Sequence, residues 1–145
     1  MIQAMQKLKE LGLKLVIIGE DMGYQKELEE LANKLRLEND VLFLGKVSDE
    51  VLFSAYSACT IFILPAFYEG LPTVVLEAMA YKKPVVATKT GGTQYLIKDG
   101  HTGFLVNYGK PEELVKKIKD ILSSDISQVG ENARETIYKE ALDLG

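Results

Sequence analysis

Five short apolar runs recur at nearly even intervals: KLVIIG (14–19), VLFLG (41–45), TIFILP (60–65), PVVAT (84–88) and GFLV (103–106). Each is rich in β-branched or aromatic residues and is bounded by Gly, Pro or polar positions, the composition of a short strand. The runs are continuously apolar instead of alternating, as expected of strands covered on both faces. Segments of helical period lie between them. Strands of this kind alternating with helices predict a doubly wound α/β domain with a parallel sheet of about five strands, because each crossover lays a helix back on the sheet.

The helical segments carry start signals. From Tyr24 to Leu35, the residues Leu28, Leu31, Ala32 and Leu35 share one face. Ser48 is placed as an N-cap before VLFSAYSA, Pro72 as a first-turn proline ahead of TVVLEAMAYK, and Pro111 as the opening of EELVKKIKDIL. In that last helix Leu114, Val115, Ile118, Ile121 and Leu122 form one stripe. Gly92 and Thr93 precede a short piece, TQYLIK. The final segment is helical in period from about Glu131, with a thin apolar face. Residues 1–12 read as an amphipathic helix with Ile2, Met5, Leu8 and Leu11 on one side, so the chain opens on a helix where an α/β domain ordinarily opens on a strand.

The 145 residues are read as a single domain. Twenty-one acidic residues outnumber 17 basic ones and the basic residues are scattered, which argues against nucleic acid, whose binding draws on clustered Lys and Arg. No apolar stretch approaches the roughly 18–20 residues of a membrane span, and the N-terminus is periodic and charged. The lone Cys59 has no disulfide partner within the chain. A cytoplasmic location is expected on these grounds. Cys59 reads as a small core residue, and Phe53, Tyr56 and Phe62 as core aromatics. His101, in KDGHTG, reads as a turn residue. With no second His and no ligand spacing, no metal site is expected.

Ligands of open parallel sheets bind beyond the carboxyl ends of the strands, so the loops after Gly19, Gly45, Pro65, Thr88 and Val106 are the ones to inspect. After the third strand comes FYEG, then Leu71 and Pro72 at a helix start, where free amides and the helix dipole suit an anion such as phosphate. Gly70 allows close backbone approach. Glu77 lies one turn further in. Its carboxylate either sits solvated on the helix surface, or points to the same crevice and accepts hydroxyls from a vicinal diol such as ribose. Spacing alone leaves both open, and Glu69 is equally ambiguous. Gly91 and Gly92, in GGT, form a second glycine-rich turn. Gly19 and Gly23 in GEDMG match neither a dinucleotide fingerprint nor a P-loop.

The run FYEGLPTVVLEAMAYKKPVVAT, followed by GGTQYLIKDGHTGFLV, closely resembles the donor-binding, C-terminal half of retaining GT-B glycosyltransferases, the glycosyl transferases group 1 or family 4 type. The likeness extends upstream through KLVIIGE, VLFLGKVSDEVL and TIFILPAFYEG, covering roughly residues 1–125. It implies a Rossmann-like half of a GT-B fold that moves a sugar from a nucleoside-diphosphate donor to an acceptor hydroxyl. By the same resemblance Glu77 accepts the donor ribose hydroxyls and Glu69, the catalytic candidate, lies against the transferred sugar. Gly70, Leu71, Pro72, Thr73 and Val74 contact sugar and diphosphate, Lys46 and Val47 line the nucleobase, and Gly19, Gly91 and Gly92 complete the donor-binding set. The nucleotide sugar is a co-substrate, and neither a cofactor nor a metal is implied.

Two departures from the family pattern stand out. Gln94 occupies a position where the family commonly has Glu after its GG turn. The family's first strand, its Arg and Lys grip on the diphosphate and its acceptor-binding N-terminal domain do not precede Met1, so the chain is expected to be a fragment that binds donor weakly and turns over nothing alone. The strands at 14–19 and 60–65 should then flank a gap, closed directly or by self-association. Any peripheral membrane contact would come through the absent domain. The alternatives are half of a non-hydrolysing sugar-nucleotide epimerase and a non-catalytic α/β binding or assembly module.

Overall fold

The computed structural model describes residues 1–143. They form two compact units, Met1–Ser54 and the remainder from Ala55 onward.

The first unit opens with α1 (Ile2–Leu8), a 3-10 turn (Lys9–Leu11) and β1 (Leu15–Ile18), then α2 (Gln25–Lys34), β2 (Val41–Gly45) and the start of α3 (Asp49–Ala58). Ile2, Met5 and Leu8 are buried as the periodicity predicts. Leu11 is 49% exposed instead, at the end of the 3-10 turn, which buries none of its residues. β1 and β2 pair in parallel through Leu15↔Val41, Val16↔Leu42 and Ile17↔Phe43, after which the register slips so that Ile18 faces Gly45. Gly45 sits at φ +64, a conformation a side chain would strain, and this lets the strand end turn out of the ladder. Ser48 caps α3 as expected, its Oγ accepting from Val51 N–H at 3.3 Å. Along α2 only Ala32 is fully buried, and Leu28 is exposed.

The second unit holds β3 (Phe62–Leu64), α4 (Thr73–Ala80), β4 (Val85–Thr88), α5 (Gly91–Leu96), β5 (Phe104–Val106), α6 (Pro111–Leu122) and α7 (Ser127–Asp143). Its ladder is parallel in the order β3-β4-β5. All four residues of β4 are buried, the two-sided coverage that its unbroken apolar run implies. Each parallel pair is joined through a helix, as parallel neighbours require. Pro111 is at the first turn of α6, whose Leu114, Val115, Ile118 and Ile121 are buried while Leu122, at the end of the stripe, is 39% exposed. α7 begins at Ser127, ahead of the Glu131 expected from its period, and buries only Gly130 and Ala133. It packs on α4. A β-carbon at Gly130 would lie 2.4 Å from the Lys82 carbonyl oxygen, so the helix approaches that turn closely enough to require glycine.

The fold is the expected parallel α/β, with its five strands in two ladders of two and three. β1 pairs with β2 in the first unit, and β3 with β4 in the second.

Candidate functional site

The loop after β3 and the start of α4 carry most of the expected donor-binding residues. Pro72 is the N-cap residue of α4, at φ −77 and ψ 96, one position earlier than a first-turn proline. Its carbonyl accepts from Val75 N–H at 3.0 Å, so it already belongs to the helix, while its extended ψ turns the chain in from the loop. No side chain caps this end. The leading amides of α4, Thr73 and Val74 among them, lie at exposed residues, where the first-turn donors of a helix have no partner of their own. Together with the dipole they offer the donors and positive potential that suit an anion. Gly70 and Leu71 are exposed beside it.

Glu77 lies in the second turn of α4. Val75, Ala78 and Met79 are buried against the unit, Val74 is 37% exposed, and Glu77 is half-buried at the boundary between the two faces. Its carboxylate is held. The Tyr56 hydroxyl donates to Oε2 at 2.6 Å, a charge-assisted geometry, leaving Oε1 open. Tyr56 is buried at the end of α3, stacked on Tyr81 at 5.5 Å between centroids and tilted on Phe62 at 5.7 Å. Burial, with the hydrogen bond and charge of Glu77 adding to it, pushes the Tyr56 phenol well above the ordinary tyrosine range. Tyr56 is thus a core aromatic with a polar duty. Phe62 is half-buried, and Phe53, expected in the core, is 46% exposed.

Glu69 is half-buried in the loop, and its carboxylate makes no hydrogen bond or ion pair with another described residue. Its backbone is fixed, because the Glu69 carbonyl accepts from Gly92 N–H at 3.1 Å. Gly91 and Gly92 are not a turn. They are the first residues of α5, because Thr90 and Thr93 form a capping box: the Thr90 side chain accepts from Thr93 N–H at 3.3 Å, and Thr90 N–H donates to Thr93 Oγ1 at 2.8 Å. Glycine at 92 is demanded by packing, since a β-carbon there would sit 1.7 Å from the Gly70 carbonyl oxygen and 2.9 Å from Pro72 Cδ. Gly91 faces open space.

A threonine network the sequence reading missed ties this loop to the sheet. Thr88 Oγ1 donates to the Ala66 carbonyl and, at 3.3 Å, to that of Leu64, and Thr93 Oγ1 donates to the Thr88 carbonyl at 2.6 Å. Thr88, Thr90 and Thr93 are all buried. Three hydroxyls inside an apolar unit are the one signal in T-K-T-G-G-T that pointed here. Gln94 donates to the Thr90 carbonyl at 3.2 Å, so its amide braces α5.

In the first unit Gly19 ends β1, its N–H donating to the Gly45 carbonyl at 3.0 Å. Lys46, exposed, and Val47, half-buried, follow the carboxyl end of β2. The amides of the GEDMG loop are taken by their own aspartate: Asp21 Oδ1 accepts from Gly23, Tyr24 and Gln25, and the Gln25 and Gly23 bonds hold its carboxyl below the usual range. That accounts for a loop that resembles no phosphate fingerprint. His101 lies in a turn, its ring and carbonyl meeting the Asn132 amide at 3.2 and 3.1 Å. Cys59 is half-buried, its thiol pushed up by burial. No cluster of metal-ligating residues occurs among the described residues, and no helix among them is long and apolar enough to cross a membrane.

Residues 1–141 match the sequence profile described as glycosyl transferases group 1. The chain is 35% identical over 140 residues to a sulfoquinovosyl transferase of Arabidopsis thaliana, covering 93% of this chain and 26% of that one. Among solved structures it superposes on an Anabaena protein, HepE, in complex with UDP-glucose (TM-score 0.83, 29% identity, 95% of this chain and 39% of that one). It also superposes on the C-terminal domain of a glycosyl transferase group 1 family protein of Francisella tularensis (TM-score 0.84, 28% identity, 97% and 76%). The chain spans 26–39% of the length of the curated relatives it matches.

Proposed function

We propose that this chain, which belongs to the glycosyl transferases group 1 family, is the nucleotide-sugar-binding half of a retaining glycosyltransferase. The observation that carries the reading is the second turn of α4, where a half-buried carboxylate with one oxygen open stands behind an uncapped helix start. A carboxylate there accepts the two hydroxyls of a ribose, while the first-turn amides of α4 take the diphosphate. The complex of HepE with UDP-glucose supports a donor of this chemistry.

In this reading Glu69 lies against the transferred sugar. Gly70 to Val74 contact sugar and diphosphate, with Gly91 and Gly92 behind them. The positive end of α4 stabilises the nucleoside diphosphate as it departs, so charge is met by preorganised dipoles and no metal is needed for that role. Transfer itself belongs to a longer assembly that includes an acceptor-binding domain. The chain alone binds donor and turns over nothing.

Titration with UDP, GDP, ADP and UDP-glucose tests this. One nucleotide should bind at millimolar or better affinity. Glu77→Ala should weaken it by about tenfold or more, since a hydrogen bond to a charged group contributes about 1.5–3 kcal/mol and tenfold corresponds to about 1.4. Absence of binding, or equal binding by Glu77→Ala, would favour a non-catalytic module that has kept the fold.

A further inference from the structure

We propose that Tyr56 is a positioning residue for the donor: by donating to Glu77 Oε2 it fixes that carboxylate so that Oε1 is presented to the ribose. The inference rests on the reading of Glu77 given above and adds to it a residue that touches no substrate.

A glutamate on a helix surface has three side-chain torsions and samples many rotamers, and ordering them on binding weakens affinity. Glu77 is different. The phenol that holds it cannot swing away, because its ring is buried, stacked on Tyr81 (interplanar angle 19°) and tilted on Phe62 (41°). The 2.6 Å bond therefore locates Oε2 from a rigid donor. The Val74 carbonyl is 3.5 Å from the same hydroxyl, too far to compete. A tyrosine hydroxyl has a single proton, and it is spent on Oε2, so the free acceptor capacity of the carboxylate is concentrated on the other oxygen. Because burial and Glu77 raise the phenol's pKa, the proton stays in place throughout the pH range of nucleotide binding.

The bland account is that the bond merely satisfies a buried phenol. The two accounts differ in what they say about the sugar of the nucleotide. A structural role would change stability and affect all nucleotides alike, whereas a positioning role acts only through the ribose hydroxyls.

The test measures the affinities of UDP and 2′,3′-dideoxy-UDP for the full chain, for Tyr56→Phe and for Glu77→Ala. The unaltered chain should prefer UDP. Tyr56→Phe should cut that preference by about two- to tenfold, the cost of ordering one rotamer-rich side chain on binding. It should leave dideoxy-UDP binding unchanged, which also reports an intact fold. Glu77→Ala should abolish the preference. If Glu77→Ala abolishes it while Tyr56→Phe keeps it, the reading of Glu77 stands and this inference falls. If Glu77→Ala keeps the preference, or UDP does not bind, the reading of Glu77 falls first and takes the inference with it. Should Tyr56→Phe not fold, the unaltered chain labelled with carbon-13 at tyrosine Cζ provides the second measurement: the Tyr56 resonance should move on adding UDP and stay on adding dideoxy-UDP, and equal movement with both would overturn the proposal.

Discussion

Replacing Gly92 by alanine tests how the glycine pair shapes the donor loop. The new β-carbon would lie 1.7 Å from the Gly70 carbonyl oxygen, whereas a comfortable carbon–oxygen contact is about 3.3 Å, so the loop must retreat by about 1.6 Å. The group in the way is backbone, so no rotamer change relieves the clash. Overpacking of this kind costs about 1–3 kcal/mol. Loss of the Gly92 N–H bond to the Glu69 carbonyl adds about 1. With a urea slope of about 2 kcal/mol/M, a total of about 2–4 kcal/mol lowers the unfolding midpoint by about 1–2 M. Gly91→Ala is the matched control, because its β-carbon meets open space at a helix start; there alanine should be neutral or stabilising by about 0.5–1 kcal/mol. The assay is urea unfolding followed by far-ultraviolet circular dichroism on both variants. If Gly92→Ala unfolds at or above the unaltered midpoint, the close approach of α5 to the donor loop is not what places glycine there.

Two further outcomes follow from the second unit. Gly130→Ala drives a β-carbon to within 2.4 Å of the Lys82 carbonyl, so α7 should part from α4 at a cost of about 1–3 kcal/mol, read as faster proteolytic cleavage between residues 127 and 143; unchanged cleavage would mean that α7 is held elsewhere. The raised Tyr56 phenol pKa means that the folded state keeps a proton the unfolded chain releases. Its contribution to stability is therefore complete below the ordinary tyrosine pKa of about 10 and is lost as the pH rises above it. An ultraviolet absorbance titration should show a late-ionising tyrosine that disappears in Tyr56→Phe and ionises earlier in Glu77→Gln; a single shared transition in all three would contradict the Tyr56–Glu77 bond.

What could be read from the sequence follows from the range over which each feature is decided. The five strands are set by local runs of β-branched residues, and all five appear where those runs lie. Ser48 and Pro111 are decided within one helical turn and also appear as expected. Gly91 and Gly92 were misplaced as a turn because the Thr90–Thr93 capping box starts the helix two residues sooner than composition suggests. Leu11 and Phe53 have the residue types of core positions and are nonetheless about half exposed. Tyr56 and Glu77 are 21 positions apart, and Thr88 reaches Ala66 across 22, so neither bond has a local signature; they exist because the fold brings the end of α3 to α4 and the end of β4 to the loop after β3. The family resemblance singles out Glu77, whereas the phenol that holds it is evident only in the folded chain.

The central claim, that α4 binds a nucleotide through Glu77, is tested most directly by a crystal structure of this chain with UDP. The account predicts ribose hydroxyls within about 3.2 Å of Glu77, with Oε1 the principal acceptor and Tyr56 still on Oε2, and the diphosphate against the first-turn amides of α4. UDP bound with its ribose away from Glu77, or its phosphates away from the start of α4, would contradict it.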